Sequence, residues 1–316
     1  MAVTTEPMAA TAGGIGDTAR TEGAGLVDTL RHFRVALLLG WRVESNWADP
    51  ILFAIYTVVR PVSSMLLLTV MVTIVGGSAD ATARTFVILG SALWAMLVAG
   101  LAGPAWSVLE DRERYRTLKY LYTSPATFLI LLAGRGGARL LTGAMGTLVA
   151  ILFATLLLGL RIDPTAVDWP LLLVTTMLGL PPILALGIVL AAVCLQTRQE
   201  SWSYPDAFSG AMFLVSGVVF PLAVLPDALQ ALGLLNPITW WVAGVRLAVL
   251  PDGPSSIGGA GSLWTAVTGS SAPDPVTIIA GLFLTGAVTT LLATALFRGS
   301  ERRARDRGLL DRTTGS

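Results

Sequence analysis

The sequence predicts an all-α integral membrane protein. It has six transmembrane helices, an N-terminal interfacial helix, an amphipathic helix on the cytoplasmic side and a re-entrant hairpin on the outer side. Three observations predict this. Of 316 residues, 54% are hydrophobic and only 13% charged, with mean hydropathy +0.72, whereas soluble domains run nearer a quarter charged. Apolar runs of about twenty residues, long enough to cross a hydrocarbon core of about 30 Å, recur along the chain. The charges are clustered between those runs rather than spread through them.

The same arithmetic excludes several function classes. A net charge of +1 leaves no broad basic surface for nucleic acid. A single cysteine, Cys194, and a single histidine, His32, exclude a disulfide within the chain and any cysteine- or histidine-cluster metal site. The lone lysine stands in Thr117-Leu118-Lys119-Tyr120, which is no glycine-rich phosphate loop. No ATP, metal or other cofactor is therefore expected on this chain.

Residues 1–30, rich in Ala, Thr and Gly, read as a disordered cytoplasmic tail. Residues 31–50 read as an interfacial helix: Arg34 and Arg42 reach for headgroups, and Trp41 and Trp47 sit at the boundary. The spans follow within 51–297, as Pro61–Val75, Phe86–Leu109, Leu140–Leu160, Leu171–Leu195, Tyr204–Phe220 and Val276–Phe297. Starting the first at Pro61 keeps Arg60 at the boundary; a start at Ile51 would place it mid-span, at a cost of about 3 kcal/mol. Residues 298–316 form a basic cytoplasmic tail.

The basic residues orient these spans. Sixteen of the 21 fall on one side, from Arg31, Arg34 and Arg42 through the loop after the second span to the C-terminal tail. Only Arg84, Arg161 and Arg246 fall on the other. The positive-inside rule then puts both termini in the cytoplasm of a cell-membrane protein. Small residues such as Gly100, Gly103, Gly143 and Gly146 suit close helix packing, within one bundle or between two copies.

Two connections are too structured to be plain loops. From Leu109 to Pro125, acidic residues open and basic residues close an expected helix. Glu110–Arg114 and Glu113–Arg116 can pair along it, and Tyr115, Leu118 and Tyr122 share one side. Between the fifth and sixth spans, Pro226 and Asn236-Pro237 punctuate pieces too short to cross and too apolar for solvent, as in a re-entrant hairpin. Gly258 to Asp274 reads as a flexible surface loop. The secure spans hold no carboxylate or histidine, and Asp206 reads as a helix-start residue after Pro205. Transport, if it occurs, needs energy from another component.

Three stretches resemble the type-2 ABC exporter permeases. The first is Leu109–Pro125 followed by Gly134-Arg135. The second is Phe220-Pro221-Leu222 through Leu235-Asn236-Pro237-Ile238-Thr239 to Arg246, and the third is Arg60-Pro61 leading to Gly76-Gly77. The chain differs in having Tyr115-Arg116 where a glycine often precedes the Thr-Leu pair. The resemblance implies a permease that works with an identical or sibling copy and with ATP-hydrolysing subunits carrying ATP and magnesium. Glu110, Arg112, Glu113, Arg116 and Leu118 would belong to a coupling helix seated in the ATPase. The arm with Arg34, Trp41 and Arg42 would also touch that subunit, and the hairpin at Pro226, Asn236 and Pro237 would close the exit. An autonomous secondary transporter and a non-transporting membrane scaffold are the alternatives.

Overall fold

The computed structural model describes residues 25–46, 49–76, 81–121, 126–197 and 201–306. Of the tail expected over 1–30, residues 1–24 lie outside them, as do Trp47, Tyr122, Pro125 and the last ten residues; Leu26 to Leu30 are not tail but the first turn of the arm helix, which starts five residues earlier than expected. Among the described residues the regular structure is helical, in the order α1 (Leu26–Asn46), α2 (Pro50–Gly76), α3 (Ala81–Leu109), α4 (Leu118–Leu121), α5 (Phe128–Leu157), α6 (Trp169–Gln196), α7 (Tyr204–Val215), α8 (Asp227–Leu235), α9 (Pro237–Val249), α10 (Leu263–Thr268) and α11 (Pro275–Asp306).

Five of these, α2, α3, α5, α6 and α11, are long and apolar enough to cross a membrane. Their outward faces carry exposed residues such as Leu67, Leu148, Leu156 and Leu291, as a lipid-facing surface requires. Glycines set how closely they pack. A Cβ at Gly187 of α6 would stand 2.6 Å from the Gly100 carbonyl oxygen and 2.7 Å from that of Leu101 on α3. One at Gly143 of α5 would stand 2.5 Å from the Ala99 Cβ. Gly100 and Gly143 therefore serve packing inside this chain. Arm α1 lies on α5 by the same device: a Cβ at Gly134 would meet that of Ala36 at 2.5 Å.

The bundle has two chemically distinct ends. The charged end carries α1, the loop between α3 and α5, and the last turns of α11; the hairpin end carries Arg84, Arg161 and the α8–α9 pair. α8 and α9 meet at 81°. Asn236 turns the chain between them: its Oδ1 accepts from Ile238 N at 3.1 Å, and Pro237 occupies the first helical position. From there α9 climbs beside the first half of α6. Trp241 packs on Gly179, and the Asp168 amide donates to the Ala248 carbonyl at 2.9 Å. The pair thus enters and leaves at one end, the re-entrant course expected of it.

Several expected boundaries are corrected. The first span does not start at Pro61, because α2 runs unbroken from Pro50 and carries Arg60 and Pro61 inside it. Proline costs a helix the bond to the carbonyl four residues earlier, and that carbonyl, of Thr57, lies against Gly146 of α5. The third span starts twelve residues earlier than expected, at Phe128, because Arg135 and Arg139 find carboxylates there. The fifth is not one helix over Tyr204–Phe220: α7 has 12 residues, which reach only about 18 Å. A 3-10 turn at Ser201–Ser203 precedes α7, and irregular backbone follows it. Trp202 lies 5.5 Å from Trp106 at the charged end, while the Val218 and Phe86 carbonyls share one guanidinium at the hairpin end. The stretch from Gly258 to Asp274 is no free loop, since it holds α10, capped by Ser262, and buries Gly258.

Arg246 anchors the hairpin end. It is buried on α9 and donates to the Gly217 carbonyl at 2.7 Å, the Phe86 carbonyl at 3.0 Å, the Ser256 hydroxyl at 2.6 Å and the Val218 carbonyl. Its guanidinium also lies 3.4 Å above the centre of the Phe86 ring. Residues after α7 have left the helix, and their carbonyls need donors at membrane depth. R246M removes those donors together, and we expect a loss of about 3 kcal/mol or more. The expected signs are a lower unfolding midpoint in detergent and new protease cleavage between Val215 and Leu222.

Candidate functional site

At the charged end α3 does not stop cleanly. Its last turn widens at Glu110–Arg114, where the Tyr115 amide reaches back to the Glu110 carbonyl at 2.8 Å. Arg116 follows with φ 52°, a left-handed conformation that favours glycine. The Thr117 amide and hydroxyl then close onto Asp111, at 2.9 Å to its carbonyl and 3.1 Å to Oδ1. The single amphipathic helix expected here is thus replaced by a wide turn, a left-handed residue and the four-residue α4.

That geometry turns much of the charge inward. Arg135 pairs with Asp111, both buried. Arg139, one turn along α5, donates from Nη2 to Glu110 at 2.7 Å and from Nε to Glu44 of α1 at 2.7 Å. Arg112 donates to the Cys194 and Thr197 carbonyls at 2.9 and 3.0 Å, capping α6 where its dipole is negative. Its Nε also meets Glu113 at 2.7 Å. Three helices, α1, α5 and α6, therefore clamp the turn.

The site residues expected from the sequence separate into two groups. Glu110 and Arg112 do not face outward; both are engaged inside the bundle because neighbouring helices supply a cation to the first and carbonyl oxygens to the second. Glu113 is held against Arg112, and Leu118 is buried with Val108, Phe128 and Leu132. Arg116 is exposed, together with Arg114, Tyr115 and Tyr120. On α1, Arg34 and Arg42 are exposed and Trp41 half-buried. Pro226 and Asn236 stand at the starts of α8 and α9, and the Asn236 Nδ2 also meets the Met212 sulfur at 3.7 Å. Asp206 lies exposed in the first turn of α7, as a helix-start residue.

Sequence reading gave no role to the residues that position the turn, Glu44, Asp111, Arg135 and Arg139, or to Arg246, which braces the other end. One signal was present. Arg135 and Arg139 sit four apart, on one face of a helix, and Glu110-Asp111 supply two adjacent carboxylates. Which arginine takes which carboxylate depends on contacts 24 and 29 residues apart.

Burial holds the Glu44 carboxyl above its ordinary value of 4.5, outweighing the Arg139 charge that pulls it down. A raised carboxyl contributes stability below its unfolded value and loses it as pH rises through its folded one. R139M removes the cation shared by Glu44 and Glu110, which moves that loss to higher pH. We expect it to destabilise the protein by about 1–3 kcal/mol. The drop in unfolding midpoint should be larger at pH 8 than at pH 5, and α1 should become accessible to protease.

The comparison with protein families matches residues 35–250 to the ABC-2 type transporter family. The matched stretch takes in most of α1, the clamped turn, and the hairpin through the end of α9. Among curated proteins, none matches. With more than half of the chain matched, on an all-helical frame with five to six crossing segments, this multi-pass membrane protein belongs to the ABC-2 type transporter family, as a permease component.

Proposed function

We propose that the chain is the permease subunit of an ATP-driven exporter. It moves a hydrophobic or amphipathic molecule (drug-like, lipid or glycan-linked) outward across the cell membrane. Both termini are cytoplasmic, a second permease copy or sibling completes the pathway, and membrane lipids surround it. ATP and magnesium are bound by a separate ATP-binding cassette subunit, and hydrolysis happens there.

The observation that carries this reading is the clamped turn. Arg114, Tyr115, Arg116 and Tyr120 are exposed on a segment tied to α5 by Asp111–Arg135 and to α6 by Arg112. A force applied to such a segment passes into three helices instead of bending a loop. The exposed arginines and tyrosines are suited to a protein surface, since Arg and Tyr dominate the energetics of interface cores. Glu110, Arg112, Glu113 and Leu118 act in this scheme as the root of the turn, and Arg116 as part of its docking face. The exposed Arg34 and Arg42 of α1 form a second contact with the ATPase or with headgroups.

The test is co-purification of the chain with its ATPase from native membranes, wild type against the double variant Y115A/R116E. Neither side chain supports the bundle, so we expect an unchanged unfolding midpoint, at least a tenfold loss of bound ATPase, and loss of substrate-stimulated hydrolysis. Full retention of a stoichiometric ATPase by the variant would overturn the docking assignment. The absence of any nucleotide-hydrolysing partner would overturn the exporter reading.

A further inference from the structure

We propose that a cavity beside Arg60 binds the anionic headgroup of an amphipathic molecule, a phosphate, carboxylate or sulfonate on an apolar tail. As a statement about the transported class, it rests on the permease reading above; as a binding site, it stands alone. Arg60 lies within the crossing segment Ile51–Val75. The helix continues on both sides of it. Ala95, Val98 and Ala99 of α3 line the same cavity, and Val98 is midway between Phe86 and Glu110, roughly 18 Å from each at 1.5 Å per residue. Arg60 is exposed on the side of α2 that borders this cavity, within reach of an incoming molecule.

Among the described residues, the buried arginines are held by several partners. Arg135 has Asp111, Arg112 has Glu113 and two carbonyls, and Arg246 has three carbonyls and a hydroxyl. Arg60 has no hydrogen-bond or ion-pair partner for its side chain among the described residues. Glu44 stands at the same cavity, but its carboxylate is taken by Arg139 at 2.7 Å. A cation without a partner in an apolar crossing segment is costly, and intramembrane ionisable residues mark ligand pathways.

Space is provided where the charge is. The cavity has a volume of about 280 Å³. Small residues open it: Ala95 and Ala99 on α3, Gly143 and Gly146 on α5. Tyr56, one turn before Arg60, and the Thr142 hydroxyl add polar atoms to the lining. A planar guanidinium grips phosphate, carboxylate or sulfonate oxygens through two parallel N–H bonds, and a phenol can donate a third. The tail has a place too, because Ile55, Val58 and Val59 of α2 are exposed beside the site. A bare inorganic anion would gain the charge contact and forgo the apolar one, so an amphiphile fits better.

The test uses the full chain in phosphatidylcholine nanodiscs, with binding of dodecyl phosphate read by native mass spectrometry and titration. We expect wild type to prefer dodecyl phosphate over neutral dodecyl maltoside and over inorganic phosphate by at least tenfold. R60Q should lose that preference and R60K recover part of it. T142F, which keeps the arginine and fills the cavity, should also weaken binding, so a folding defect in one variant leaves the proposal testable. Competition by phosphatidylglycerol in the nanodisc assigns the headgroup to a membrane lipid; its absence assigns it to a single-chain acid, and either supports the site. Equal binding by wild type, R60Q and T142F, or no preference over the neutral detergent, overturns it. No ATPase is needed for this measurement, so its failure is distinct from failure of the exporter reading.

Discussion

Two arginines one turn apart on α5 hold the charged end together. Arg135 takes Asp111, and Arg139 takes both Glu110 and Glu44. Three chain segments that are far apart in sequence meet through these pairs: the start of α5, the end of α3 and the end of α1. Salt bridges on a surface contribute little. These are different, because burial removes water as the competing partner, and an uncompensated charge left there would be strongly destabilising. The wide turn at Glu110–Arg114 follows from the same demand, since it carries Asp111 to Arg135 and Arg112 to the end of α6.

The hairpin end solves a different problem with the same residue type. Helix α7 stops after 12 residues, and the carbonyls that follow have no helical donors. Arg246 supplies them from α9, with the Phe86 ring under its face. Gln230 does the same on a smaller scale, bridging the Leu225 and Gly261 carbonyls and the Leu263 amide. Irregular backbone is tolerated at membrane depth only when protein groups satisfy it, and here two side chains do much of that. One end of the bundle thus presents a braced turn and the other a braced hairpin, with close-packed helices α3, α5 and α6 between them.

Arg60 stands apart from both clusters. It shares their residue type and lies in the same helical frame, but the carboxylate at its cavity, Glu44, is taken by Arg139. The bundle closes two charge networks around structural roles, while Arg60 stands beside a cavity lined by small residues.

Hydropathy and charge are properties of short stretches, so the sequence by itself determined the membrane class, the sorting of basic residues between the two ends, and the secure spans. It also determined the hairpin apex at Asn236-Pro237, because an N-cap residue followed by proline encodes a helix start locally. The tertiary structure alone decided how far α2 and α5 extend, since proline and arginine inside a helix are acceptable only beside the neighbours that accommodate them. It alone decided that Glu110 and Arg112 turn inward and that α7 ends early. Those outcomes rest on pairs such as Arg112 with the carbonyl of Cys194, 82 positions away. No local pattern carries such a pair, because it exists only once the helices have been brought together.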